Sequence, residues 1–143
     1  KLVLVGKRAW GYSELLPFIN EESGVQALGY LTDEQLVSLY RYTKALVFPS
    51  IYEGFGIPIL EAMNQGIPII ISNIPASSEL HKAHGSQMFV FELEDRGTLI
   101  DLLGQMERKQ ETTPLKFSYG DLSRYHYANI ALQHRNIYEK IYS

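Results

Sequence analysis

Residues 45–71 constrain the fold of this chain more than any other stretch. Ala45-Leu46-Val47-Phe48 is a short apolar run, and a second, Ile67-Pro68-Ile69-Ile70-Ile71, is almost wholly β-branched. Both read as buried strands. Between them lies a glycine-bearing turn. A segment follows in which Ile59, Leu60, Ala62 and Met63 take apolar positions at helical spacing, stopped by Gly66. Two strands joined through a helix are the unit of a parallel sheet. Strands buried on both faces of such a sheet read as continuous apolar runs, as these do.

The alternation continues along the chain. Residues 2–5 and 25–28 are predicted strands, closed by Gly6 and Gly29, and an amphipathic segment over 12–22 carries Leu15, Leu16 and Ile19 at helical spacing. Thr32 and Gln35 fit a capping box, opening a helix whose buried face is Leu36, Leu39 and Tyr40. A short helix over 77–82, a strand over 88–91 and helices over 96–108 and 122–142 complete the pattern, with turn formers at 114–120. The expected fold class is α/β, with one doubly wound, Rossmann-like parallel sheet of at least five strands in a single domain over 1–143.

A chain of 143 residues with 45% hydrophobic and 20% charged residues can bury a proper core and is not composed like a disordered segment. Its net charge of −3 gives no electrostatic case for a nucleic-acid partner. With no cysteine, disulfides, thiolate metal sites and a thiol nucleophile are excluded. The apolar runs fall far short of the ~20 residues a membrane-spanning helix needs. The chain starts at Lys1 within an apparent strand, so an upstream segment is expected.

Chemistry concentrates where the third strand gives way to its helix. Glu53 and Glu61 stand eight positions apart, with Gly54, Gly56 and Pro58 between them. A helix start reached through such a turn presents unpaired amides and the positive end of the helix dipole to a phosphate or a developing negative charge. Glu61 falls about five residues into the helix, roughly 7 Å from its start at ~1.5 Å per residue. That separation suits a ligand with hydroxyls on both sides of a diphosphate, such as a nucleotide-sugar. The dinucleotide fingerprint G-x-G-x-x-G is not met, because Gly54 and Gly56 lack both the third glycine and the later acidic residue. No Walker phosphate loop is present either. Glu61 sits among apolar neighbours, where a carboxylate needs a hydrogen-bonding partner, and ribose hydroxyls qualify.

The stretch Phe48-Pro49-Ser50-x-x-Glu53-Gly54-Phe55-Gly56-Ile57-Pro58-x-Leu60-Glu61-Ala62-Met63-x-x-Gly66-x-Pro68-Ile69-Ile70 resembles the E-x7-E signature of family 4 glycosyltransferases, retaining enzymes of GT-B fold. Leu2-Val3-Leu4-Val5-Gly6 and Leu28-Gly29-Tyr30-Leu31-Thr32-Asp33-Glu34-Gln35-Leu36 are similar to further segments of that family. The likeness covers roughly residues 1–110 and loosens beyond Pro114, where Phe117-Ser118-Tyr119 stands in place of the family's F-S-W.

The resemblance implies that the chain is the donor-binding half of a two-domain enzyme that transfers a sugar from a UDP-sugar, a GDP-sugar or a similar nucleotide-sugar. Glu61 would accept hydrogen bonds from ribose hydroxyls, and the amides of Gly54, Phe55, Gly56 and Ile57 would hold sugar hydroxyls and diphosphate. Glu53 would lie near the reaction centre as a positioning and electrostatic residue, and backbone around Tyr30 and Leu31 would meet the edge of the base. It also implies no cofactor and no metal. The N-terminal domain of the same enzyme and an acceptor of unspecified chemistry would be its partners. The location implied is cytoplasmic, with peripheral attachment of the full-length protein to the membrane's cytoplasmic face. The family's Arg and Lys for the diphosphate precede the strand that begins this chain, so the isolated chain is expected to bind donor weakly and not to catalyse transfer. Lys7 and Arg8 follow the first strand and read as loop charges that could approach phosphates.

Other candidates are weaker. His81 and His84 with Glu79 read as helix-surface residues before a metal site, and His126 and His134 are too far apart to share a face. Ser77 and Ser78 lack a paired base. Tyr127, Tyr138 and Tyr142 in the last helix are expected to pack on the sheet or on the missing domain. Two other readings stand beside the leading one: a non-catalytic doubly wound α/β module that binds a partner, and another GT-B enzyme such as a nucleotide-sugar epimerase. The first leaves the Glu53/Glu61 pair unexplained, and the second lacks the wording of residues 54–63.

Overall fold

A computed structural model describes residues 1–8, 11–20, 22–85, 88–108 and 122–142. The chain divides into two units, residues 1–40 and 41–143. In the first, β1 (Leu2–Val5) pairs in parallel with β2 (Val25–Gly29), Leu2 opposite Val25. They are joined by α1 (Tyr12–Leu15) and a 3-10 turn over Leu16–Phe18. Helix α2 (Asp33–Tyr42) follows. Its capping box is formed at both bonds: the Thr32 amide donates to Gln35 Oε1 at 2.9 Å, and the Gln35 amide to Thr32 Oγ1 at 3.3 Å. Leu36 and Leu39 are half-buried and Tyr40 is buried, as the helical spacing predicts.

The second unit holds β3 (Leu46–Phe48), α3 (Ile57–Gln65), β4 (Ile69–Ser72), α4 (Pro75–His84), β5 (Met88–Phe91), α5 (Arg96–Arg108) and α6 (Tyr127–Tyr142). Its ladder is parallel in the order β3-β4-β5, with Leu46 opposite Ile69 and Ile69 opposite Met88. Ile70 and Phe91 pack with Leu102 and Met106 of α5, joined by Val47 and Phe89. Alternation along a strand turns Ile69 and Ile71 to the opposite face. Helix α3, with Ile59, Ala62 and Met63 buried, packs on β3 and β4. Strand β4 is therefore buried along its whole length, and the core sits around it.

The α/β, Rossmann-like class is as expected, but several particulars differ. Among the described residues the strands form two ladders where one sheet of at least five was expected, because an apolar run marks a strand without naming its neighbour. The helix over 12–22 ends at Phe18. Pro17 has no amide to continue it, and the Asn20 side chain takes over, donating to the Pro17 carbonyl and accepting from the Ser23 amide. The short helix expected over 77–82 runs from Pro75 to His84, since Ser77 Oγ accepts the Ile74 amide at 3.2 Å and caps it two residues earlier. The last helix begins as a 3-10 turn (Ser123–Tyr125) and is separated from α6 by extended backbone at His126. Tyr127 and Tyr138 are exposed, so neither packs on the sheet. The expectations for 114–120, including Phe117-Ser118-Tyr119, lie outside the described residues. No helix among the described residues is long and apolar enough to cross a membrane.

Candidate functional site

The carboxyl ends of β3 and β4 carry the site, the position where open parallel sheets bind ligands. From Phe48 the chain runs through Pro49, Ser50 and the turn at 51–56 into α3. Two αL glycines bracket this helix. Gly56 (φ 84°, ψ 55°) starts it and Gly66 (φ 69°, ψ 31°) ends it, the latter donating its amide back to the Ala62 and Met63 carbonyls. A Cβ on Gly56 would also come within 2.9 Å of Ile59 Cδ1. Glycine at 56 is thus a requirement of the turn.

Gly54 is different. It is outside the left-handed region, and a Cβ built there meets no atom within 4 Å. The fold does not demand glycine at 54. The amides of Gly54, Phe55 and Gly56 have no protein acceptor among the described residues. The Ile57 amide belongs to the first turn, where helix geometry provides none. Pro58 has no amide to contribute, and Ile59 donates to the Gly56 carbonyl at 2.9 Å. The amides at 54–57 therefore gather at the helix start, that of Gly56 on a buried residue and the other three on exposed ones, where the dipole favours an anion.

The two glutamates stand on either side of this stretch along the chain, Glu53 before it and Glu61 in α3 after it. Glu53 is half-buried and accepts a hydrogen bond from Ser50 Oγ at 2.9 Å. The Ser50 carbonyl in turn accepts from Ser72 Oγ at the end of β4, and Ser77 Oγ donates to the Ser72 carbonyl. Ser72 and Ser77 are buried, so a relay of serines ties Glu53 to the core ladder. Glu61 is half-buried on α3 between buried Ile59 and Ala62. The structure therefore brings Glu53, Gly54, Phe55, Gly56, Ile57 and Glu61 together on one strand–turn–helix.

Tyr30 and Leu31 belong to the first unit, directly after β2. Tyr30 is exposed with Lys7 Nζ 5.5 Å from its ring centroid, and Leu31 is half-buried. Arg8 lies over the Tyr12 ring at 5.1 Å, so both loop cations rest on aromatic faces. Such contacts are worth about 0.5–1 kcal/mol at exposed sites.

Of the serines and histidines set aside on sequence, Ser77, Ser78 and His84 have other partners. Ser77 is occupied by backbone, and Ser78 Oγ donates to Asn73 Oδ1 at 2.8 Å. His84 Nε2 shares a hydrogen bond of 3.1 Å with the Tyr125 hydroxyl. No group of three or more metal-ligating side chains forms among the described residues. Sequence reasoning missed Ser50 and Ser72, whose roles arise from strand adjacency. It also missed Tyr125, whose ring meets Phe55.

A family profile described as glycosyl transferases group 1 matches residues 1–120. O-antigen chain mannosyltransferase B of Escherichia coli is 42% identical over 82 residues, covering 55% of this chain and 22% of that protein. The serotype-specific mannosyltransferase WbdA of Escherichia coli is 36% identical over 87 residues, 58% of this chain and 11% of its own length. O-antigen chain mannosyltransferase RfbU of Salmonella typhimurium is 52% identical over 46 residues, 32% of this chain and 13% of that protein. The chain thus spans about a fifth or less of the length of these relatives.

Proposed function

The chain belongs to the family of glycosyl transferases group 1, and we propose that its turn at 53–57 and helix α3 bind the nucleotide-sugar donor of a retaining sugar transfer. The observation that carries this reading is the run of amides at 54–57 that have no protein acceptor among the described residues, set at a helix start with half-buried Glu53 before it and half-buried Glu61 after it along the chain. The amides take the diphosphate and Glu61 accepts hydrogen bonds from the ribose hydroxyls. Glu53, held by Ser50, faces the donor sugar. In the transfer the bond from the sugar's anomeric carbon to the diphosphate oxygen breaks, and its electron pair leaves with the phosphate. The acceptor oxygen bonds to the same face of that carbon, and the departing phosphate takes the acceptor's proton. The helix end stabilises the charge that builds on the leaving group. The names of the relatives favour mannose as the sugar and an O-antigen-type polysaccharide as the product.

Titration with UDP, GDP and ADP and their sugars, read by calorimetry, tests the reading. One nucleotide should bind saturably, and Glu61→Ala should weaken it about tenfold or more, the scale of losing hydrogen bonds to a charged group. Binding that ignores Glu61→Ala, or no binding at all, would move the reading to the partner-binding module. Because amides and a helix end hold the phosphates in this proposal, EDTA should leave the affinity unchanged. A large loss on chelation would assign the phosphates to a metal instead. With an acceptor in hand, Glu53→Gln should lower turnover; unchanged turnover would remove Glu53 from the reaction centre.

A further inference from the structure

Phe55 stands between two glycines on a turn outside the regular elements, where backbone freedom is greatest. Such a turn keeps its amides in one arrangement only if something beyond it restrains it. The Tyr125 ring meets the Phe55 ring edge-on, with centroids 5.8 Å apart at 60°, a geometry aromatic pairs favour.

Tyr125 is itself well held. Its hydroxyl is hydrogen-bonded to His84 at the end of α4, and the Arg124 guanidinium lies over its ring at 5.3 Å. Its amide donates to the Leu122 carbonyl at 3.0 Å. The 3-10 turn that carries it is closed onto the Ser123 carbonyl by the His126 amide at 3.0 Å and by Asn129 Nδ2 at 2.7 Å. Helix α4 is anchored in turn by buried Leu80 and Ser77. Phe55 is therefore linked to the body of its unit through Tyr125 and His84. The link reaches the turn at Phe55 and not at Glu53, and it meets the serine relay only at Ser77.

We propose that Tyr125 is a positioning residue for this turn: by clamping Phe55 it sets the amides at 54–57 and hence the affinity for the donor's diphosphate. Only the identity of the ligand rests on the donor-binding reading above; the clamp is a property of the fold.

Backbone order parameters, together with titrations using GDP and UDP, on the wild type, Tyr125→Phe and Tyr125→Ala test the proposal. In Tyr125→Ala, order at 54–57 should fall from rigid values of about 0.85 toward about 0.6, while β4 keeps its order. Nucleotide binding should weaken about tenfold. Tyr125→Phe keeps the ring and loses the hydroxyl, so it should restore most of the order and cost about threefold in affinity. Unchanged order at 54–57 in Tyr125→Ala overturns the proposal. So does an equal loss of order in β4, which would make Tyr125 a general support of the fold. If the alanine variant does not fold, Tyr125→Phe decides: a small drop confined to 54–57 upholds the clamp, and no drop overturns it. A wild type that binds neither nucleotide defeats the donor reading, while the order parameters still decide the clamp.

Discussion

Strands β4 and β1 carry the same kind of sequence, Ile-Ile-Ile-Ser and Leu-Val-Leu-Val, and end in opposite environments. Ile69, Ile70 and Ile71 are fully buried, whereas Leu2 and Val5 are 46% and 41% exposed. Strand β4 has a hydrogen-bonded neighbour on each edge, and Ile70 lies under α5. Among the described residues β1 pairs with β2 alone. An apolar run thus says that a segment is a strand, while the number of neighbours decides what that strand contributes. The candidate site hangs from the buried ladder, where Ser72 ties the turn to the end of β4. Rigid support of that kind is what a site built on a two-glycine turn requires.

The comparison can be broken most directly at its centre. Ile70→Ala should lower stability by about 2–5 kcal/mol, the range for emptying a packed core. Val3→Ala, in the exposed strand, should cost less than about 1 kcal/mol. Similar losses for the two in denaturant titration would mean that burial does not separate these strands.

A second pair sharpens the contrast inside the site. Gly56→Ala forces a side chain into a left-handed backbone and against Ile59, which should cost about 1–3 kcal/mol. Gly54→Ala meets open space and should stay within about 0.5 kcal/mol of wild type. Its effect should appear instead as weaker nucleotide binding. A stable Gly54→Ala protein with unchanged affinity would show that ligand does not approach the turn there.

The smallest expected effect concerns the helix over β4. Asp95, just before α5, accepts hydrogen bonds from the Thr98 hydroxyl at 2.6 Å and the Thr98 amide at 3.1 Å. These bonds hold its carboxyl below the ordinary value of 3.8, the hydroxyl contributing most. A carboxyl with a lowered folded-state value adds stability above its unfolded value and loses it as pH falls through the folded one. Asp95→Asn should therefore make the fall in thermal midpoint below about pH 4 slightly shallower. An identical acid limb would remove Asp95 from the linkage.

Much of this architecture was legible in the sequence because it is local. The Thr32–Gln35 box forms both of its bonds, and α3 starts and stops at the glycines that mark it. Glu53 and Glu61 come together with the 54–57 amides because one turn and one helix hold all of them. The premature end at Phe18 was also within reach, through Pro17. The Ser72–Ser50–Glu53 relay and the His84–Tyr125–Phe55 clamp were not. Each joins residues whose proximity follows only from packing of separate elements.

The sequence by itself determined which segments are strands and helices, where they are capped, and which short stretch carries the chemistry. These depend on forces between residues a few positions apart, and their order along the chain specifies them. Only the tertiary structure decided that the strands form two ladders, that β4 is buried while β1 is not, and that Tyr125 reaches the glycine turn. Those outcomes depend on closing long loops and on which apolar faces meet, and an apolar run carries no label for its neighbour.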